Sequence, residues 1–185
     1  MTPLSDEIKT SLTGALRLIQ FERDGFNHLN HTIDGFWRSF VAALVALPLF
    51  IVLSFLHAST LENDQTSSTI LYLLRYALGW VVFPLVMLIL TRVLDRGRCY
   101  ASYIISLNWM AVPQWGLVVV MSFISKVLGG FIGELVPVLL LVLLLSYDFF
   151  ITRLVLELSL GKTALVVTIG ILVAVLLDTL ILGMP

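Results

Sequence analysis

The sequence has little charge and almost no cysteine, and both shortages narrow the class of protein. Charged residues make up 12% of the 185-residue chain and hydrophobic residues 59%, whereas soluble domains contain about 25% charged residues. A soluble globular protein is therefore not expected. The single cysteine, Cys99, excludes an internal disulfide, and no Cys/His cluster has zinc-site spacing. The net charge of -1 offers no general basic surface to a nucleic acid.

Long apolar runs dominate the rest of the chain. A helix needs about 20 consecutive apolar residues to cross the hydrocarbon core of a bilayer. Five runs reach this length, at residues 36–58, 69–93, 100–127, 132–152 and 163–182. Because the breaks between them are too short to fold alone, the sequence predicts an all-α, polytopic transmembrane bundle of five helices in one domain, residues 35–185.

The basic residues are distributed unevenly among the segments that flank these runs. Nine of the 11 Lys and Arg residues lie before or at the start of the first run, between the second and third, or between the fourth and fifth. Segments rich in Lys and Arg stay in the cytoplasm. The sequence thus predicts an N-terminus inside the cytoplasm and a C-terminus outside it.

The N-terminal segment, residues 1–34, differs from the runs that follow it. Ile8, Leu12, Leu16 and Ile19 recur at helical spacing and form one apolar stripe among charged residues. This pattern predicts an amphipathic helix that lies in the cytoplasmic interface of the membrane. Packing of the same helix on the cytoplasmic ends of the spans, or on another protein, explains the pattern equally well.

Several polar side chains fall inside the predicted spans, where an ionised group costs about 2.5–3.5 kcal/mol at the helix centre. They are Arg75, Glu134, Asp148 and Asp178, with Asn108 and Gln114 as neutral groups. By position along their spans, Arg75, Glu134 and Asp178 share an outer level, whereas Asn108 and Asp148 share an inner one. We therefore predict an outer ionic layer, in which Arg75 neutralises one or both carboxylates, and an inner hydrogen-bonded layer.

Helical phase indicates which faces of two spans carry these groups. Gly170, Ala174 and Asp178 are spaced four residues apart, and small residues at this spacing let a neighbouring helix approach closely. We therefore expect Asp178 to point into the bundle. On the fourth span, Glu134 and Asp148 fall along one stripe. These groups either fix helix register, which is the favoured interpretation, or form a path for a proton or cation.

The motif pair of one class of membrane protease is incomplete in this sequence. Tyr147-Asp148 on one span and Asp178 on the next are similar to the paired motifs of intramembrane aspartyl proteases. The second motif of those enzymes is Gly-x-Gly-Asp, whereas residues 175–178 read Val-Leu-Leu-Asp. The sequence offers no other catalytic, cofactor-binding or metal-ligating set, so a non-enzymatic protein without a cofactor is expected.

Two short sequence elements and the topology together resemble the Yip1 family. Asp34-Gly35-Phe36-Trp37 is similar to the signature before the first span of that family, and Gly97-x-x-Tyr100-x-x-Tyr103 is similar to its later Gly- and Tyr-rich element. With five spans and a cytoplasmic N-terminal segment, the resemblance covers about residues 35–182. It implies a non-enzymatic organiser of membrane or protein traffic that acts through partner proteins.

The expected function is therefore an integral membrane scaffold or accessory subunit. Its partners would be membrane lipid and another membrane protein or a second copy of itself, not a nucleic acid. The expected location is the inner (cytoplasmic) membrane of a bacterium. The alternative is a small oligomeric transporter or channel, in which Glu134, Asp148 and Asp178 form a cation or proton path.

Overall fold

The computed structural model of the protein describes residues 3–58, 65–181 and 183, and all regular structure within them is helical. The α-helices in this part of the chain are α1 (Leu4–Leu18), α2 (Ile33–Ser39), α3 (Val41–Ala58), α4 (Gln65–Val93), α5 (Tyr100–Leu128), α6 (Gly130–Leu156) and α7 (Leu160–Ile181). Short 3-10 helices lie at Arg23–His28 and Gly97–Cys99.

Five segments of the described chain are long and apolar enough to cross a membrane. They are Ile33–Leu56, Ile70–Val93, Gly97–Leu128, Gly130–Leu156 and Leu160–Ile181. Many large apolar side chains on their outer sides are exposed, as expected for helices that face lipid rather than water. The predicted all-α, five-span architecture is confirmed, and it identifies an integral membrane protein.

The break between the last two spans is shorter than the predicted one at residues 153–162. Helix α6 continues past Arg153 to Leu156, and the turn is closed by Glu157 in the left-handed conformation (φ 49°). Arg153 lies in the last turn of α6, where a cation interacts favourably with the helix dipole. A basic residue at this position therefore extends the helix instead of ending it.

Helix α5 is the centre of the bundle. It packs against α3 on one side and α6 on another, and it also contacts α1 and α2, whereas α4 packs mainly against α7. The fully buried residues of this centre include Ala42 and Ala46 on α3, Ile104 and Met110 on α5, and Ile151 on α6. Small residues let helices approach closely in a membrane, where packing rather than water exclusion drives association.

The N-terminal segment is folded closely against itself. Helix α1 crosses the 3-10 helix Arg23–His28 at two glycines. A Cβ atom at Gly14 would lie 2.7 Å from the carbonyl oxygen of Gly25, and a Cβ atom at Gly25 would lie 2.5 Å from that of Gly14. Only glycine fits at both positions, because any other side chain would have to displace backbone.

A buried carboxylate joins this segment to the first span. Glu7 on α1 is 5% exposed. Its two oxygens accept hydrogen bonds from Arg38 Nη1 at 2.7 Å and from Asn30 Nδ2 at 2.9 Å. Because buried charges are stable only when they are paired and hydrogen-bonded, this cluster fixes α1 relative to α2.

The apolar stripe of α1 packs against the bundle. Ile8, Leu12 and Ile19 contact the main core, which also contains Leu18, whereas Leu16 is 53% exposed. Packing on the bundle corresponds to one of the interpretations that the sequence allows. An interfacial position in the membrane stays a prediction.

Phe21, shortly after the end of α1, extends the packing of the N-terminal segment to α6. Phe21 has a positive φ of 62°. Its ring lies 4.9 Å from that of Tyr147 and 5.3 Å from that of Phe150, measured between centroids. The N-terminal segment therefore touches the helix turn that also carries Asp148.

Candidate functional site

The polar residues of the spans line a cavity bounded by α4, α5, α6 and α7, called here the interhelical cavity. It has two adjoining lobes of about 440 and 450 Å³, and Arg75, Gln114 and Asp148 line both. Neither lobe is a closed void. The polar residues that line the second lobe are Arg75, Tyr76, Tyr103, Asn108, Gln114, Asp148, Thr152 and Asp178.

An ion pair lies at one part of this lining. Arg75 Nε on α4 donates a hydrogen bond to Asp178 Oδ1 on α7. The structure thus contains the pairing that the predicted outer ionic layer requires of these two residues. The Arg75 side chain is 26% exposed and that of Asp178 is 46% exposed, so the pair is only partly buried.

Glu134 does not take part in this ion pair, so Arg75 pairs with one of the two outer carboxylates. It is exposed and forms no hydrogen bond or ion pair with the described residues. Glu134 lies in the second turn of α6, near one end of this span. A carboxylate near the end of a span can reach the polar edge of the membrane, so it does not need Arg75.

The predicted inner layer is also rearranged. Asp148 Oδ1 accepts a hydrogen bond from Gln114 Nε2 at 3.3 Å, whereas Asn108 Nδ2 donates to Ser39 Oγ at 2.9 Å. Six residues separate Asn108 from Gln114, which corresponds to a rotation of about 240° on an α-helix. The two amides therefore leave α5 in different directions, and only Gln114 reaches Asp148.

A second buried polar contact closes one side of the cavity. The hydroxyl groups of Tyr103 on α5 and Thr152 on α6 lie 2.9 Å apart, and the two residues are 2% and 0% exposed. Thr152 follows Asp148 by one helical turn, and both line the second lobe. The spacing between them is the sequence signal that identifies Thr152 as a member of the site.

The small-residue face of α7 borders the interhelical cavity. Gly170, Ala174 and Asp178 all line the second lobe of the cavity. A Cβ atom at Gly170 would lie 3.3 Å from Phe83 Cε2 on α4. Gly170 therefore serves helix packing, whereas Ala174 leaves space that belongs to the cavity.

Aromatic side chains form one wall of the cavity, and the sequence did not indicate them as a site. Tyr76, Trp80 and Trp115 line the second lobe together with Phe83. The ring centroid of Tyr76 lies 6.1 Å from that of Trp80 and 6.0 Å from that of Trp115. Behind them, Phe50 on α3 lies 4.5 Å from Tyr76. The Tyr76 hydroxyl donates to the carbonyl oxygen of Ala43 at 2.6 Å.

Polar groups from both predicted layers therefore line one cavity. The cavity extends along α4, α5, α6 and α7, so residues at different depths share it. The charged residues in its lining are Arg75, Asp148 and Asp178. Arg75 compensates Asp178, whereas the described hydrogen bond to Asp148 comes from the neutral amide of Gln114.

The hydrogen-bond partners of the two aspartates do not suit a protease dyad. In such a dyad two carboxyl groups about 3 Å apart share a proton. Here Asp178 is bonded to Arg75 and Asp148 to Gln114. Among the described residues, no three His, Cys, Asp or Glu side chains lie together as a metal site would require.

Comparison with known proteins gives no family to which the chain can be assigned. No protein-family model, no curated protein and no solved structure matches it. The resemblance to the Yip1 family therefore stays a prediction.

Proposed function

We propose that this protein is a small membrane transport protein that passes a cation or a proton through the interhelical cavity. One observation supports the proposal above all others. Asp148 lines the cavity without a cationic partner among the described residues, beside an ion pair that already uses the one arginine of the lining.

The charges of the lining favour a positively charged occupant. When its groups are ionised, the cavity contains one guanidinium and two carboxylates. Electrostatic attraction is stronger in a membrane-embedded site than in water, because the surroundings are less polarisable. Ionisable residues within spans commonly mark ion or proton paths. A cation or proton at Asp148 would balance the remaining negative charge.

The position of the ion pair suggests how the occupant would pass. Arg75 and Asp178 lie at the more exposed part of the lining. A cation that enters there meets a carboxylate whose charge Arg75 already compensates. Asp148 is then the stronger attraction, and we expect it to hold the occupant between entry and release.

Flux through purified protein in lipid vesicles tests the proposal. Wild-type protein should dissipate an imposed proton, Na⁺ or monovalent organic cation gradient, followed with a pH-sensitive dye or a tracer. Asp148→Asn should abolish this flux, because the amide keeps a hydrogen bond to Gln114 but loses the charge. Glu134→Gln is the matched control, since it neutralises a carboxylate on the same helix outside the cavity.

Two outcomes would overturn the transport function. One is the absence of flux for every cation above from correctly folded protein. The other is flux that Asp148→Asn leaves unchanged. Folding of each variant is checked by circular dichroism and by the elution volume in size-exclusion chromatography.

A second candidate is an accessory subunit or scaffold, as the resemblance to the Yip1 family implies. The observation that favours it is the outward face around Glu134. This carboxylate lies beside Phe131, Ile132 and Leu135, which are 75%, 63% and 42% exposed. Another membrane protein or a second copy of the chain could cover this face. Native mass spectrometry after gentle extraction would then show a stoichiometric partner, whereas a bare monomer would argue against this candidate.

We also propose that the N-terminus is cytoplasmic and that the membrane is the inner membrane of a bacterium. The support for this orientation is the concentration of basic residues in alternate segments of the sequence. In a Cys99→Ala background, the variant Lys162→Cys places a thiol in the first turn of α7, in the cytoplasm by this proposal. This thiol should react with an impermeant thiol reagent only after cells are opened. Reaction in intact cells would show that the protein has the opposite orientation.

A further inference from the structure

The size of the interhelical cavity argues for an organic rather than an inorganic occupant. Each lobe has a volume of about 440 to 450 Å³, within the range of about 300–1,000 Å³ found for small-molecule sites. A bare metal cation would need several oxygen ligands around it. The described hydrogen-bond partner of Asp148 is a single amide, that of Gln114.

The lining combines the carboxylate of Asp148, which has no described cationic partner, with a large apolar surface. Apart from its polar residues, the second lobe is lined by aliphatic and aromatic side chains from four helices. An occupant that fills this space would bury mostly hydrocarbon. It would need one positive charge within reach of Asp148.

The aromatic wall supplies a further contact for such a charge. The faces of Trp, Tyr and Phe rings attract organic cations, most strongly where the contact is desolvated. Tyr76, Trp80 and Trp115 lie in one cluster, and the hydrogen bond from Tyr76 to Ala43 holds that cluster against α3. The wall is therefore positioned before any ligand arrives.

We infer that the interhelical cavity binds a lipophilic organic monocation, such as a quaternary or protonated amine with an apolar body. Asp148 attracts the positive nitrogen and the aromatic wall of Tyr76, Trp80 and Trp115 packs against the organic part. This inference rests on the proposed function in that it names the class of cation that the transport protein would carry. Binding can nonetheless be measured without any transport.

Benzyltrimethylammonium is a suitable probe, because it joins one fixed charge to one aromatic ring. Trp80 and Trp115 line the cavity, so saturable quenching of tryptophan fluorescence in purified full-length protein reports its binding. Two ligands of similar size provide comparisons: 2,2-dimethylpropylbenzene, in which carbon replaces nitrogen, and the anion benzenesulfonate. Both should bind at least about ten-fold more weakly than the cation.

Variants separate the two parts of the site. Asp148→Asn should weaken binding of benzyltrimethylammonium at least about ten-fold, because it removes the charge partner. Trp115→Leu should weaken it about two- to five-fold through loss of a ring. Glu134→Gln and Trp37→Phe lie outside the cavity lining and should leave the dissociation constant unchanged.

The inference is overturned if benzenesulfonate binds as tightly as the cation, if quenching does not saturate, or if Asp148→Asn binds like the wild type. Its failure differs from that of the proposed function. Asp148-dependent proton or Na⁺ flux without binding of benzyltrimethylammonium would remove this inference and keep the transport function. Asp148-dependent binding of benzyltrimethylammonium without flux of any cation would keep this inference and remove the transport function.

Discussion

Arg75 on α4 and Asp178 on α7 form an ion pair across 103 positions of sequence, and both line the cavity that contains Asp148. The pair connects the two helices that pack mainly against each other rather than against the central helix α5. The pair therefore has two effects. It holds α4 to α7, and it leaves neither the charge of Arg75 nor that of Asp178 available to a ligand in the cavity.

The contribution of this pair to stability can be isolated with a double-mutant cycle. Arg75→Leu and Asp178→Leu should each lower the melting temperature, because each leaves the partner's charge uncompensated in the bundle. The coupling energy should be about 0.5–1 kcal/mol, as for other partly exposed or intramembrane polar pairs. Asp178→Asn should be tolerated better than Asp178→Leu, since it can still accept a hydrogen bond from Arg75. If both Asp178 variants melt like the wild type, the pair does not stabilise the fold.

The contact between Ser39 and Asn108 should show a marked asymmetry. Ser39→Ala leaves the buried amide of Asn108 without its described acceptor, which should cost about 1–3 kcal/mol. In Asn108→Leu, Ser39 keeps its hydrogen bond to the carbonyl oxygen of Phe36, so the loss should be smaller. Thermal unfolding in one detergent compares the two. Equal losses would mean that Asn108 has another acceptor.

The glycine crossing in the N-terminal segment should not accept any side chain. Gly14→Ala and Gly25→Ala each force a Cβ atom against a backbone oxygen, and overpacking of this kind costs about 1–3 kcal/mol. Gly161→Ala is the matched control, because no atom lies within 4 Å of a Cβ atom placed there. Melting temperatures of the three variants provide the test. A Gly14→Ala variant as stable as the wild type would show that the crossing is looser than described.

The buried carboxylate of Glu7 should control how well the N-terminal segment is protected from proteases. Glu7→Leu removes the acceptor of two hydrogen bonds, from Asn30 and Arg38, and should destabilise the segment by about 1–3 kcal/mol. Trypsin should then cleave after Arg17 and Arg23 faster than in the wild type. Glu7→Gln, which can keep one or both bonds, should have a smaller effect. Asp6→Leu alters an exposed neighbour in the same turn and should leave the cleavage rate unchanged.

The spans and the ion pair could be predicted from the sequence for clear physical reasons. An apolar run long enough to cross a bilayer has few alternatives to a helix, because every backbone polar group must be satisfied within the segment. Arg75 and Asp178 carry opposite charges at similar depth, and each is costly alone. Pairing them follows from that cost.

The rotation of each helix could not be predicted in the same way. A span that is apolar on every side does not mark which side faces its neighbours. For this reason the sequence associated Asn108 with Asp148, whereas the structure brings Gln114 to Asp148 and Asn108 to Ser39. The aromatic wall could not be predicted for the same reason, because Trp80 and Trp115 could equally well face lipid.

The packing of α1 has a consequence for the order of events during biosynthesis. The N-terminal segment leaves the ribosome before the spans, but Leu18 packs in a core completed by α5, and Phe21 contacts rings on α6. These helices are synthesised later. The segment must therefore wait for the fourth span before it reaches its final position.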